Sequence, residues 1–268
     1  MKTCLTIAGS DSIGGAGIQA DIKTMTMLGV YGMTAIASLT SQNTKGVKSI
    51  FEVSKEFLGD QLDMIISDIF PDAVKTGCIS SPELIKEVVD KIKKYKLKNI
   101  VVDPVIYSKH GIKLIKDEAI DIMKKELLTL EKVITPNILE LEIIAETKIK
   151  DNNDMVSASK KIFEKLGCSV LCKGGHGIND GEDLLYNEKG VTWFKTKKIE
   201  TNNLHGTGCT LSSAIASFLA LGFSLEESIS KGKEYLTKCL EFAVKLGKGF
   251  GPVNHCYKIM NLDKDNKL

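Results

Sequence analysis

Thr3-Cys4-Leu5-Thr6-Ile7-Ala8 runs directly into Gly9-Ser10-Asp11-Ser12-Ile13-Gly14-Gly15-Ala16-Gly17-Ile18-Gln19-Ala20-Asp21. The first six residues form a short, apolar, β-branched run and read as a strand. The glycines that follow make a bend in which backbone can come close to a small ligand. Over residues 18–28 apolar side chains recur at three- and four-residue spacing, so the bend opens into a helix. Gly15 to Ala20 also fits G-x-G-x-x-[GA], the phosphate turn of a dinucleotide fold. That reading needs an acidic residue about 20 positions later at a strand end. The sequence there is Thr40-Ser41-Gln42-Asn43-Thr44, with no acid, which favours a glycine-rich mouth for a small ligand. Asp21, in the first helical turn beside that mouth, is expected to serve as a helix-dipole partner or to contact the ligand.

The pattern of this first unit continues outward. Strands are expected at 3–8, 31–39, 73–76, 99–103, 132–134 and 169–172. Helices are expected at 18–28, 55–66, 82–94, 116–128, 139–146 and 154–166. Strand and helix alternate, so the fold class is α/β, with a mostly parallel central sheet and helices on both faces. Residues 183–186 and 192–199 flank Gly190 as an antiparallel hairpin, and helices at 210–221 and 225–246 close the fold. No repeat or Pro/Ser linker interrupts the chain. A single domain over 1–268 is expected, with a frayed Lys-rich tail at 261–268. In such sheets ligands sit beyond the carboxyl ends of the strands, so the residues just after each strand are the ones to read.

Composition narrows the function. All 36 basic residues are lysine; the chain of 268 residues contains no arginine. A bidentate guanidinium clamp is therefore absent, and any phosphate must be held by lysine, backbone N–H groups and helix N-termini. A net charge of +2 gives no nucleic-acid footprint. No apolar run approaches the ~18 residues of a spanning helix. The seven cysteines are scattered without a C-x-x-C pair, which argues against zinc. With no signal peptide in front of the first strand, they are expected to be reduced thiols of a cytoplasmic protein.

His205-Gly206-Thr207-Gly208-Cys209-Thr210 opens an apolar helix. Its glycines let backbone N–H groups converge, and the helix dipole adds positive potential, so Gly206, Thr207 and Gly208 make a candidate anion hole. Cys209, in the first turn, is a candidate base or nucleophile whose thiolate the dipole favours, drawing its pKa toward neutral. A peptidase-like dyad with His205 is disfavoured because the sequence offers no evident orienting Asn or Asp. Lys173 stands at a strand end before Gly174-Gly175 and can reach a phosphate, and His176 follows as a second phosphate contact or a loop cap. Asp103, Asn137 and Glu140 also follow strands, and their oxygens suit a hard Mg²⁺ held partly through water. Two of them have a simpler alternative, with Asp103 capping a turn and Asn137 capping a helix. Gln42 carries donor and acceptor together, as a heteroaromatic edge requires.

These motifs, together with Gln42-Asn43-Thr44, Lys75-Thr76-Gly77, Asp103-Pro104-Val105, Thr135-Pro136-Asn137 and the Gly249 to His255 segment, strongly resemble the hydroxymethylpyrimidine/phosphomethylpyrimidine kinases of thiamine biosynthesis. That family belongs to the ribokinase-like superfamily, and the resemblance covers nearly the whole chain. It implies ATP-dependent phosphorylation of 4-amino-5-hydroxymethyl-2-methylpyrimidine, then of its monophosphate to the diphosphate. It further implies that Gly9, Asp21 and Gln42 hold the aminopyrimidine, with Ala16, Thr40 and Cys78 lining the pocket. Cys209 takes the place of the Asp base of most superfamily members, beside the Gly206–Gly208 hole. Lys173, His176, Thr207 and Asn137 would bind ATP, and Asp103 and Glu140 would organise Mg²⁺. A homodimer is implied as well. The chain departs from the family at Cys78, where Met is frequent, at His110 before Gly111, where Ser is common, and at Ile106-Tyr107. The alternative is a pyridoxal/pyridoxine kinase of vitamin B6 salvage; the intact Gln42-Asn43-Thr44 and Lys173-Gly174-Gly175-His176 favour the pyrimidine.

Overall fold

The computed structural model describes residues 1–109, 111–130, 132–174, 181–196 and 199–259. His110, His176 and the expected 261–268 tail lie outside the described residues, as do positions 197 and 198 of the expected second hairpin strand.

The elements follow in chain order as β1 (Thr3–Asp11), α1 (Gly17–Met27), β2 (Tyr31–Asn43), β3 (Gly46–Glu52), α2 (Lys55–Asp68), β4 (Ala73–Thr76) and α3 (Pro82–Tyr95). Then come β5 (Ile100–Val102), α4 (Asp117–Ile122) with a π-helical turn at Met123–Leu127, β6 (Val133–Ile134), α5 (Ile138–Ala145) and α6 (Asn152–Leu166). The chain continues through β7 (Ser169–Cys172), β8 (Asp183–Asn187), β9 (Gly190–Phe194), α7 (Thr207–Ala220) and α8 (Leu225–Glu241). The described strands form one sheet in the order β3-β2-β1-β4-β5-β6-β7-β8-β9. The pairings from β2 through β7 are parallel; β3, β8 and β9 join antiparallel at the two ends.

Strand alternation sends successive side chains to opposite faces. Leu5, Ile7, Val74, Ile100, Val102, Ile134 and Val170 pack on one face against α2 to α6. Cys4, Ala73, Val101, Val133 and Leu171 pack on the other against α7 and α8. Thr6 and Lys75 share that second face by the same alternation, although both are polar and fully buried.

Among the elements that differ from the sequence expectation, three bear on the site. β2 runs on to Asn43 and turns into β3, which the sequence did not announce because Leu39, Ile50 and Phe51 are exposed and leave no buried stripe. α8 ends at Glu241 rather than continuing to 246. Beyond it, Gly247 takes a left-handed φ of 75° and the backbone N–H groups of Lys248 and Gly249 donate to Thr44 Oγ1. α7 begins at Thr207, three residues earlier than expected, which brings Thr207, Gly208 and Cys209 into its first turn.

Candidate active site

Six loops leave the carboxyl ends of β1, β2, β4, β5, β6 and β7 and meet the N-terminus of α7. Lys173, after β7, donates from Nζ to Asp103 Oδ1 at 2.8 Å, after β5. Thr135 Oγ1, after β6, donates to the same oxygen at 3.2 Å, and Ser212 Oγ of α7 stands 3.5 Å from Oδ2. Burial works against the charge on Lys173, but the carboxylates of Asp103 and Glu140 hold its pKa above the usual lysine range. Gly208 lies against this pair: a Cβ there would stand 3.3 Å from Lys173 Nζ and 3.5 Å from Asp103 Oδ2. Gly206 has φ 84°, and a Cβ on it would fall 1.8 Å from the Gly15 carbonyl oxygen. Any side chain at 206 would therefore pry the glycine-rich mouth away from the α7 turn. A surface cavity lined by Asn99, Lys132 and Ser169 opens at the opposite, amino-end edge of the strands and shares none of these residues.

Asn137 and Glu140 form a capping box on α5. Asn137 Oδ1 accepts from the Glu140 N–H at 2.9 Å, and Glu140 Oε2 accepts from the Asn137 N–H at 2.8 Å. The helix-cap role considered for Asn137 is thus filled, with its side-chain oxygen spent on the backbone. Burial pushes Glu140 up to about 7, and Asp103 adds to the rise against the pull of Lys173. Two converging carboxylates with one lysine between them are short of positive charge. Carboxylate oxygens are hard donors, and this pair suits a Mg²⁺ arriving with nucleotide phosphates that supply further oxygens.

The raised Glu140 pKa has a consequence for stability. The folded carboxyl keeps its proton where the unfolded one, near 4.5, has lost it. Its contribution is therefore complete below the unfolded value and disappears as pH climbs through about 7. Glu140→Gln keeps the capping geometry and removes the titration. The variant is expected to lose less stability than the native protein between pH 5 and 8, by up to about 3 kcal/mol. Urea unfolding of both proteins without nucleotide at the two pH values checks this.

Cys209 departs from expectation in one respect. Its pKa does not fall toward neutral: desolvation pushes the thiol up to about 11, outweighing the groups that favour ionisation, chiefly Lys75 and the Gly17 N–H that donates to its sulfur. The helix dipole is real, but desolvation of this half-buried thiol at the junction of α1 and α7 costs the thiolate more.

The pocket residues divide. Thr40 Oγ1 donates to the Ser10 carbonyl at 2.9 Å, joining β2 to the mouth. A Cβ on Gly9 would stand 2.7 Å from Ser38 Oγ, so that turn is closely packed. Ala16 is the N-cap residue of α1, and its N–H donates to Asp11 Oδ2 at 2.8 Å. Cys78 follows β4, half-buried, its thiol pushed up to about 12 by desolvation. Asp21 does not reach the mouth. It is fully buried on the α7 face, where Thr6 Oγ1 donates to Oδ2 at 2.6 Å, Ser213 Oγ donates to Oδ1, and Lys75 Nζ lies 3.1 and 2.8 Å from the two oxygens. No lone pair of that carboxylate is left facing a ligand, so its assignment to the pyrimidine is corrected to an internal ion pair.

The sequence offers no evident acid to orient His205, but the structure supplies one. Asp11 Oδ2 lies 2.8 Å from His205 Nε2, across 194 residues. Because a carboxylate only accepts, that ring nitrogen carries the hydrogen. Burial works to raise the Asp11 pKa, yet the His205 contact and the backbone N–H groups of Ala16 and Ile13 bring it below the usual range. The Gln42 amide lies 3.1 Å from the same ring nitrogen. His205 thus ties the base of the α7 turn to the mouth, with the Gln42 side chain packed against the same ring.

Residues 11–254 match the family described as phosphomethylpyrimidine kinase. The chain belongs to that family. Within the kinase family it is 44% identical, over 94% of its length, to the thiamine biosynthesis bifunctional protein ThiED of Geobacter sulfurreducens, and spans 51% of that longer protein. The crystal structure of the phosphomethylpyrimidine kinase of Clostridium difficile matches at 44% identity and a TM-score of 0.80, over 89% of this chain and 99% of that one. The ADP complex of Bacillus subtilis pyridoxal kinase matches at 35% identity and a TM-score of 0.89, over 97% and 100%. The ribokinase-like fold expected from the motifs is the fold of these kinases.

Proposed function

We propose that this protein transfers the γ-phosphoryl group of ATP to the hydroxymethyl group of 4-amino-5-hydroxymethyl-2-methylpyrimidine, and in a second reaction to the resulting monophosphate. The observation that carries the reading is the packing of Gly208 against Lys173 and Asp103, with Cys209 next in the same helical turn. Lys173, the glycine turn that opens α7 and Cys209 lie together, and Gln42 lies 3.1 Å from His205 just before that turn. Phosphoryl transfer asks for positioning and charge neutralisation more than covalent protein chemistry. Lys173 and the Gly206–Gly208 N–H groups absorb charge on the transferring group. Asp103 and Glu140 would hold Mg²⁺, which when bound neutralises phosphate oxygens. The Cys209 thiolate takes the proton of the substrate hydroxyl as its oxygen attacks phosphorus. The second acceptor is already an anion and needs no base. The site operates without arginine, with Lys173 the cation aimed at phosphate.

The likeness to pyridoxal kinase supports a second reading in which pyridoxal is the alcohol. Steady-state kinetics on both alcohols separates the two: kcat/KM is expected to favour the pyrimidine by at least about tenfold, as a pocket built to pair with substrate edges would. A preference for pyridoxal overturns the assignment.

A further inference from the structure

Lys75 is an unusual core residue. It has no exposed surface, and its Nζ would lie 2.8 Å from a Cβ on Gly77. It is paired with Asp21, which is equally buried. A buried ion pair is a weak source of stability, since well-packed apolar residues of similar volume often serve as well or better. The position of the pair suggests another use. Ser213, whose hydroxyl donates to Asp21, lies four residues beyond Cys209 on α7. Residues at that spacing share a helix face with their Cβ atoms about 5–6 Å apart. Following that face one turn toward the carboxyl edge of the sheet leads to Cys209, which also receives the Gly17 N–H from the start of α1. The charges around the thiol are Asp21 from α1, Lys75 from β4, Asp103 after β5 and Lys173 after β7. Of these, Lys75 favours the thiolate and Asp21 opposes it.

We propose that Lys75 is a positioning residue for the reaction: held on the α7 face of the sheet by Asp21, which Thr6 and Ser213 fix in turn, it places a positive charge about one helical turn from Cys209 that makes the thiolate accessible. The inference rests on Cys209 acting as the base. Two charges sit side by side with opposite effects, so their removal must move the thiol in opposite directions. A loss of packing would move it one way only.

The test is alkylation of Cys209 by iodoacetamide in the whole protein without nucleotide, quantified on its own peptide by mass spectrometry so that Cys78 and Cys256 do not interfere. At about pH 8.5, well below the midpoint, the rate follows the thiolate fraction. Lys75→Met is expected to slow alkylation by about tenfold or more, and Asp21→Asn to speed it several-fold. Should Lys75→Met not fold, the double variant D21N/K75M, in which the buried pair becomes neutral, is compared with D21N; it is expected to react more slowly. Unchanged rates, or both single variants moving in the same direction, overturn the proposal. So does a double variant that reacts as fast as D21N. If the rates shift as expected but Cys209→Ala still phosphorylates the alcohol at the native rate, the assignment of the base fails and the influence of Lys75 on the thiol stands. The reverse pattern removes Lys75 and leaves the base.

Discussion

Replacing Cys209 with alanine is expected to slow phosphoryl transfer to the hydroxymethyl alcohol by on the order of 10²–10⁴-fold, the usual value of a positioned base. Transfer to the monophosphate is expected to stay within about threefold of native, because its nucleophile is already ionised at neutral pH. The asymmetry follows from where the proton is. The alcohol must lose one as the bond to phosphorus forms; the phosphate has already lost its own. The raised thiol pKa adds a pH signature. Below about 11 the thiolate fraction grows with pH. The alcohol reaction should therefore accelerate as pH rises toward that value, while the monophosphate reaction lacks this dependence. Separate assays on the two acceptors, run across pH, decide the matter. Equal losses for both acceptors in the alanine variant would remove Cys209 from the role of base.

Lys173→Met is expected to reduce both transfers, each by on the order of 10²–10³-fold, as does the loss of one preorganised group facing developing charge. Here symmetry is the diagnostic. The group being transferred is the same in both reactions, and Lys173 acts on that group and not on the acceptor. The substitution also leaves Asp103, which is almost fully buried, without its cation. Unfolding of the variant must therefore be measured alongside activity, since an unpaired buried carboxylate costs about 3–5 kcal/mol. A folded variant with native turnover on either acceptor would show that Lys173 does not contact the transferring phosphoryl group.

The parts of this architecture that could be read in the sequence are those governed by local pattern. Parallel strands covered on both faces are continuous apolar runs, and 73–76 and 169–172 emerge as β4 and β7 with the bounds expected. The strand-end residues were legible for the same reason, because the sheet dictates where a ligand can lie. What escaped was set by distant partners. Phe242, Val244 and Leu246 continue an amphipathic pattern past the end of α8, but the chain leaves the helix to dock on Thr44, about two hundred residues away in sequence. Asp21 looked like a mouth residue because it follows the glycines; its partners Lys75 and Ser213 come from β4 and α7. Asp11 and His205 carry no local signal of each other. The balance of forces on Cys209 was also hidden, since a helix N-terminus is visible in sequence and the desolvation of the half-buried thiol is not.

The pinning of the last segment to the first has a bearing on biosynthesis. Once a ribosome has delivered Phe194, every strand of the described sheet has been made, and so has Lys173. The face carrying Thr6 and Lys75 still lacks α7 and α8, and Asp11 and Thr44 await His205, Lys248 and Gly249. The nascent chain thus holds a half-covered sheet with a lysine–aspartate pair open to water until its final quarter emerges. Changes in the segment from His205 to His255 would consequently register in the cell as reduced yield of folded protein as well as altered turnover, and measurements of specific activity need a count of folded sites beside them.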